Sequence, residues 1–239
     1  MSIEEVFIYL RDMLLDLFYP PHCSVCEKYI ENRRDILCDE CTDNILAIEK
    51  YHHNVPPLKE VWRLTKYKSG TKPLIRDLKF NKRLNTLIVI NKILNKALIS
   101  NTELSKLLNK IDIATIVPLH KEREAKRGFN QVELIFNDWL SQQNIPIERL
   151  LLRIRSTEHL YKFKSSKEKR MKEIIGAFAL EEDAVDKIKG KRILILDDIF
   201  TTGTTMSECA KILEISGASC IYGLALASNF YKPRMSKNA

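Results

Sequence analysis

Asp197 and Asp198 stand side by side at the end of the apolar run Ile193-Leu194-Ile195-Leu196, and Thr201-Thr202-Gly203-Thr204-Thr205 follows at once. The run is β-branched and leucine-rich, so Arg192 to Leu196 is predicted as a buried strand. From Met206 to Ser216 apolar residues recur at Met206, Cys209, Ala210 and Leu213, the spacing of a helix face. A strand, two carboxylates, a hydroxyl-rich turn and a helix start together suit a phosphorylated sugar. Backbone N–H groups at the turn and helix start attract phosphate, the threonines add donors, and Gly203 permits close backbone approach to the anion. The acids select what the phosphate is attached to: Asp197 and Asp198 can accept from ribose hydroxyls and hold Mg²⁺ through its water shell.

A second constellation lies upstream. The stretch Ile111 to Val117 is predicted as a strand and empties into Pro118-Leu119-His120, then Arg123-x3-Arg127-Gly128-Phe129-Asn130-Gln131. Ligands of open α/β sheets sit beyond the carboxyl ends of the strands, so this loop is expected to face the same crevice as the acid pair. Arg123 and Arg127 are four apart and would share a helical face toward a pyrophosphate or nucleic-acid phosphate. The plainer alternative is an ordinary basic loop before the helix Val132 to Leu140, with Phe129 packed as core.

Four of the six cysteines fall as Cys23-x2-Cys26 and Cys38-x2-Cys41. Each pair supplies two thiolates from a tight turn, and two such pairs close a tetrahedron around structural Zn²⁺. The loop from Glu27 to Leu37 is too polar to bury a core, so a metal would supply the folding energy of so small a module. His22 is then a bystander, and Cys209 and Cys220 read as core residues.

These groups need elements to hold them. The 239 residues are 45% apolar, enough for a sizeable core, and the net charge of +8 favours an anionic partner without naming one. The predicted elements are a helix over Ile3 to Phe18 packed on a neighbour, a short strand early in Val61 to Lys79, and a helix opening in Leu74 to Leu78. A helix over Leu87 to Leu98 and a last strand over Ile221 to Ala227 complete the set, with Gly217 capping the helix before it. Alternation of strands and helices gives an α/β fold with a mostly parallel sheet flanked by helices. A small zinc-binding module over residues 1–50 precedes a larger domain over 51–239, with His52 and His53 in the connecting loop. No stretch reaches the roughly 18 uninterrupted apolar residues of a membrane span, and the acidic start of the first helix is unlike a signal peptide. A cytoplasmic protein is expected.

The segment Ile193 to Thr205 resembles the signature of the type I phosphoribosyltransferases, whose ligand is phosphoribosyl pyrophosphate (PRPP). The segment from Val117 to Gln131 resembles the hallmark of the ComF family of competence-associated proteins, and the order of cysteine module, hallmark and acid pair matches that family over nearly the whole chain. The resemblance implies a phosphoribosyltransferase-like fold and a cytoplasmic accessory of natural transformation that handles incoming single-stranded DNA with a helicase-like partner. The chain departs from the family pattern at Thr157-Glu158-His159-Leu160 and at Glu173, so no nucleobase-recognising residue carries over.

Between Arg153 and Lys172 eight basic residues face Glu158 and Glu168, a local net of +6. Tyr161 and Phe163 lie among Lys162, Lys164, Lys167, Lys169, Arg170 and Lys172, the mixture expected where phosphates are neutralised and bases stack. A hood over PRPP and a solvated loop are equal alternatives. Three functions stay open: a PRPP- and Mg²⁺-binding, DNA-associated accessory of transformation; a true phosphoribosyltransferase in which the acids steady an oxocarbenium-like state while Mg²⁺ and Arg123 or Arg127 take the pyrophosphate; and a binding module whose sugar-phosphate site is only structural.

Overall fold

A computed structural model of the chain describes residues 3–23, 25–31, 37–51, 55–68, 70–155 and 174–229. The strands are β1 (Leu46–Lys50), β2 (Glu60–Lys66), β3 (Ile113–Ile116), β4 (Leu151–Arg153), β5 (Phe178–Leu180), β6 (Arg192–Phe200) and β7 (Cys220–Ser228). The helices are α1 (Ile3–Phe18), α2 (Asp39–Ile45), α3 (Thr71–Asn81), α4 (Thr86–Ser100), α5 (Thr102–Leu108), α6 (Lys121–Arg127), α7 (Gln131–Ser141), α8 (Ala184–Ile188) and α9 (Thr204–Ile215).

The central sheet has the order β1-β2-β7-β6-β3. β2, β7, β6 and β3 run parallel, while β1 is antiparallel to β2. A parallel sheet needs cover on both faces, which is why its strands read as continuous apolar runs. Side chains alternate between the faces along β6: Leu194 and Leu196 join a core with α3, α4, α5 and α7, whereas Ile193 and Ile195 join one with α8, α9 and the β4–β5 ribbon. The fold is thus α/β with a mostly parallel sheet between helical layers, as the alternation implies.

Differences from the sequence-based expectation have physical causes. β6 does not stop at Leu196 but continues to Phe200, because β7 goes on pairing with it (Asp197 with Ala225, Ile199 with Ala227) after β3 has ended. β1 escaped prediction because its five residues are half-buried edge residues without strict alternation. It belongs to the central sheet, although it precedes residue 50. α1 forms over the predicted span, yet its described apolar side chains, among them Phe7, Leu14, Leu17 and Phe18, are exposed and not packed as expected. Both faces of the sheet are already covered by other helices, so the core does not need it.

The cysteine segment is seated on this body. Cys23, Ile30, Leu37 and Cys41 share a core cluster with α4 and α7 residues. Two ion pairs at matched helical spacing, Lys92 with Asp39 at 3.0 Å and Lys96 with Asp43 at 2.5 Å, fasten α2 along α4.

Candidate functional site

β3 pairs with β6 only as far as Ile116 opposite Leu196. Past that point the two strands part, and the crevice so formed is where open α/β sheets bind ligands. Asp197 and Asp198 lie on β6 just past the end of that pairing. Asp198 is buried and Asp197 half-buried. Burial, with the adjacent Asp198 charge second, pushes the Asp197 carboxyl well above the usual carboxylate range, and the Lys79 cation pulls it back only in part. The Asp198 backbone N–H donates to Asp197 Oδ1 at 2.8 Å.

Two neighbours hold the Asp198 carboxylate. Gln131 Nε2, at the first turn of α7, donates to Asp198 Oδ2 at 3.1 Å, and Lys79 Nζ, in the last turn of α3, makes an ion pair with the same oxygen. Gln131 in turn accepts from Arg127. Sequence reasoning brought Arg127 and the acids to one crevice, and the structure joins them through Gln131. Asn130 explains how that glutamine is aimed: its Oδ1 caps α7 by accepting from the Val132 N–H at 3.0 Å, and its Nδ2 donates to Val117 O at 3.4 Å.

Arg123 and Arg127 both lie on α6, as their spacing implies. Burial, and secondly the Arg123 charge, pushes the Arg127 guanidinium down, with Asp198 acting in the opposite sense. The two cations are therefore close enough to feel one another beside the acids. Arg149 clamps this helix, meeting Glu124 at 2.9 Å and Glu133 of α7 at 2.6 Å. Gly128 ends α6 in the left-handed region, and Phe129 is half-buried against the core, so the plainer packing role is the right one for that ring.

The turn after β6 starts α9 as expected. Thr204 and Thr205 open the helix, Thr201 and Thr202 are exposed, and the Thr202 and Thr204 hydroxyls lie 3.0 Å apart. The first N–H groups of α9 have no carbonyl within the helix and point out of its start. Gly203 has φ +79°, and a Cβ there would stand 2.8 Å from Phe200 and 2.9 Å from Val55. The glycine is thus required by backbone angle and packing, which is a stronger reason than anion approach alone. Gly223 on β7 serves the same end from beneath: a Cβ there would meet Met206 Sδ at 2.4 Å and lift the start of α9 off the sheet.

Lys162, Lys164, Lys167, Lys169, Arg170 and Lys172 lie outside the described residues. The points from which that segment departs are described. β4 and β5 pair antiparallel, Arg155 Nε donates to Gly176 O at 3.1 Å, and His120, just before α6, bridges to Arg153 of β4.

The cysteine cluster is a separate centre. The sulfurs of Cys23, Cys26, Cys38 and Cys41 all lie within 4.8 Å of one another, and Cys26 and Cys38 are 3.6 Å apart. Tetrahedral Zn–S bonds of about 2.3 Å require sulfurs about 3.8 Å apart, so the residues fit zinc.

Comparison with known proteins agrees with both centres. The Double zinc ribbon domain family matches residues 14–52, and the Phosphoribosyl transferase domain family matches residues 153–235, which include the acid pair and the turn. The DNA utilization protein YhgH of Escherichia coli (strain K12) is 28% identical over 206 residues, covering 83% of this chain and 86% of that protein. The chain is a homologue of the DNA utilization and competence F proteins. Competence protein F of Haemophilus influenzae is 33% identical over 118 residues (46% of this chain, 48% of that one). Competence protein ComFC of Bacillus subtilis is 31% identical over 101 residues (42% and 38%). Among solved structures, adenine phosphoribosyltransferase from Thermoanaerobacter pseudethanolicus aligns over 80% of this chain and 99% of that one, at 15% identity and a TM-score of 0.38. The four-cysteine centre reads as structural zinc. No described helix is long and apolar enough to cross a membrane.

Lys79 is the residue that sequence reasoning missed. It has no motif around it and reaches the acids only because α3 is folded over the sheet. Gln131 was visible in the hallmark segment, but nothing in the sequence assigned it a partner.

Proposed function

We propose that the chain is a cytoplasmic accessory of DNA utilization and natural transformation whose larger unit, residues 51–239, binds PRPP with Mg²⁺. The observation that carries this reading is the crevice itself. A carboxylate pair lies on β6 past the end of its pairing with β3, and the start of α9 follows it in the chain. Lys79 pairs with Asp198, and Arg127 is linked to Asp198 through Gln131, with Arg123 near enough to shift it. In this reading Thr201, Thr202, Gly203, Thr204 and Thr205 hold the 5-phosphate, the acids accept from the ribose hydroxyls, and the two arginines face the pyrophosphate. Asp197 and Asp198 are hard oxygen donors of the kind Mg²⁺ takes, and the ion would neutralise pyrophosphate charge at that place. The unit over residues 1–50 is a zinc-held module whose last strand extends the central sheet.

The homologues' names support a role with DNA. The basic run from Lys162 to Lys172 with Tyr161 and Phe163 suits a single strand, and a helicase-like partner is what the family resemblance implies. The described residues on either side of that segment are held together by the Arg155 to Gly176 bond, and Arg153 bridges to His120, just before α6. A second reading, a phosphoribosyltransferase acting on a nucleobase or related acceptor, is favoured by the cation pair Arg123 and Arg127 beside the acids, which suits a leaving pyrophosphate.

Calorimetry with PRPP and Mg²⁺ tests the site. Wild type should bind, and the Asp197→Ala/Asp198→Ala variant should lose affinity by about 100-fold or more; equal heats in the two proteins refute the site. Pyrophosphate release on adding a panel of bases then separates enzyme from binder. For DNA, charge reversal across Lys162 to Lys172 should weaken single-strand binding and flatten its salt dependence; unchanged affinity refutes that contact.

A further inference from the structure

The acid site contains an ion pair that its proposed ligand would have to break. Lys79 Nζ pairs with Asp198 Oδ2, and both side chains are largely buried, at 17% and 5% exposure. Asp198 is one of the two acids proposed to meet ribose hydroxyls or hydrated metal, yet a lysine occupies it. The root of that lysine is fixed, because Ile75 and Leu78 of the same helix are buried at 1% and 0% exposure. Its ammonium ends a flexible four-carbon chain and is a mobile point charge. The surroundings into which it can swing are cationic: Nζ of Lys82, the residue that caps α3, lies 4.0 Å from where a Gly128 Cβ would stand, and Gly128 directly follows Arg127. α3 and α6 therefore bring Lys82 to the end of α6, while Lys79 and, through Gln131, Arg127 reach Asp198.

We propose that Lys79 is a built-in counter-ion of this site, holding Asp198 when no ligand is present and passing to the pyrophosphate oxygens when ligand and metal take the carboxylates. The inference rests on the sugar-phosphate reading above. Its physical basis is that a buried carboxylate stripped of its paired cation is strongly unfavourable, so the exchange of partners must be coupled. Gln131 stays on Asp198 throughout, as a neutral donor with no charge to exchange. Lys79 is accordingly a binding residue for the pyrophosphate end and a competitor of the metal at the acid end, two roles that one substitution shifts in opposite directions.

Calorimetric titration of wild type, K79Q and K79R with Mn²⁺ alone and with PRPP plus Mg²⁺ reads both roles. K79Q frees Asp198, so it should bind Mn²⁺ about tenfold more tightly than wild type while binding PRPP with Mg²⁺ about tenfold more weakly. K79R keeps the charge and should stay within about threefold of wild type for PRPP. Unchanged Mn²⁺ affinity in K79Q, or undiminished PRPP affinity, overturns the inference and leaves the sugar-phosphate reading standing. Failure of wild type itself to bind PRPP overturns that reading and the inference with it. Should K79Q not fold, the K79Q/D198N double variant removes both charges together and must recover the wild-type melting temperature; if it does not, the pairing is refuted.

Discussion

The cysteine centre and the acid crevice are opposite solutions to holding a charged group. The four cysteines come from 19 consecutive positions, their sulfurs already cluster within 4.8 Å, and the whole site is made of one residue type. The crevice draws Lys79, Arg127, Gln131 and Asp198 from α3, α6, α7 and β6, and its charges are set against one another before any ligand arrives. The first is a fastening and the second is an instrument: one adds stability to the fold, the other holds charge under tension for a ligand to relieve. A close pair of carboxylates, one buried and one half-buried, is an arrangement that stability alone would not select.

The largest expected effect comes from breaking the fastening. Cys38→Ser, or a strong chelator, should release one zinc per chain and lower the melting temperature by about 10 °C or more, since several kcal/mol of metal-linked folding are lost. The whole sheet should feel it, because Leu37 and Cys41 share its core and α2 is tied to α4 by two ion pairs. An independent loss of the knuckle, with the main transition unmoved, would show the two regions to be uncoupled. Next in size is Gly203→Ala, expected to cost about 1–3 kcal/mol in a denaturant melt, because the added Cβ meets Phe200 and Val55 in a left-handed conformation.

Asp197→Asn sharpens the contrast from the other side. It removes one of two crowded carboxylates, so the ligand-free protein should gain about 0.5–2 kcal/mol while PRPP affinity falls. A variant that lost both stability and binding would place Asp197 with the structural residues. The smallest effect belongs to neither centre. Asp112 binds Arg192 at 2.6 Å where β3 and β6 begin, and the Arg192 side-chain bonds, ahead of the backbone bond, pull its carboxyl down to about 2. A depressed folded value means stability present above the unfolded value, roughly 3.9, and lost as pH falls toward 2. Asp112→Asn should cost about 1 kcal/mol at neutral pH, with the cost shrinking as pH falls through about 2, by thermal melts across that range.

Legibility in the sequence follows the same division. The cysteine centre could be read outright because ligands two residues apart sit in one turn and need no tertiary information. The phosphate turn was legible for the related reason that strand, acids, Gly203 and α9 are continuous in the chain. The apolar runs of β6 and β7 and the periodicity of α4 and α9 marked the layers, since burial on both faces leaves no polar interruption. Lys79 was hidden because only the packing of Ile75 and Leu78 aims it. β4 and β5 were hidden because strands of three residues carry too little pattern. α1 misled: its apolar spacing announced a partner, and its described apolar side chains lie exposed.

The central claim is best tested by a crystal structure of the protein grown with PRPP and Mg²⁺. The account predicts the 5-phosphate on the N–H groups of Thr201 to Thr205, ribose hydroxyls on Asp197 and Asp198, and Lys79 moved from Asp198 to the pyrophosphate. Ligand density elsewhere on the sheet, or none at saturating concentration with the Lys79–Asp198 pair intact, would contradict it.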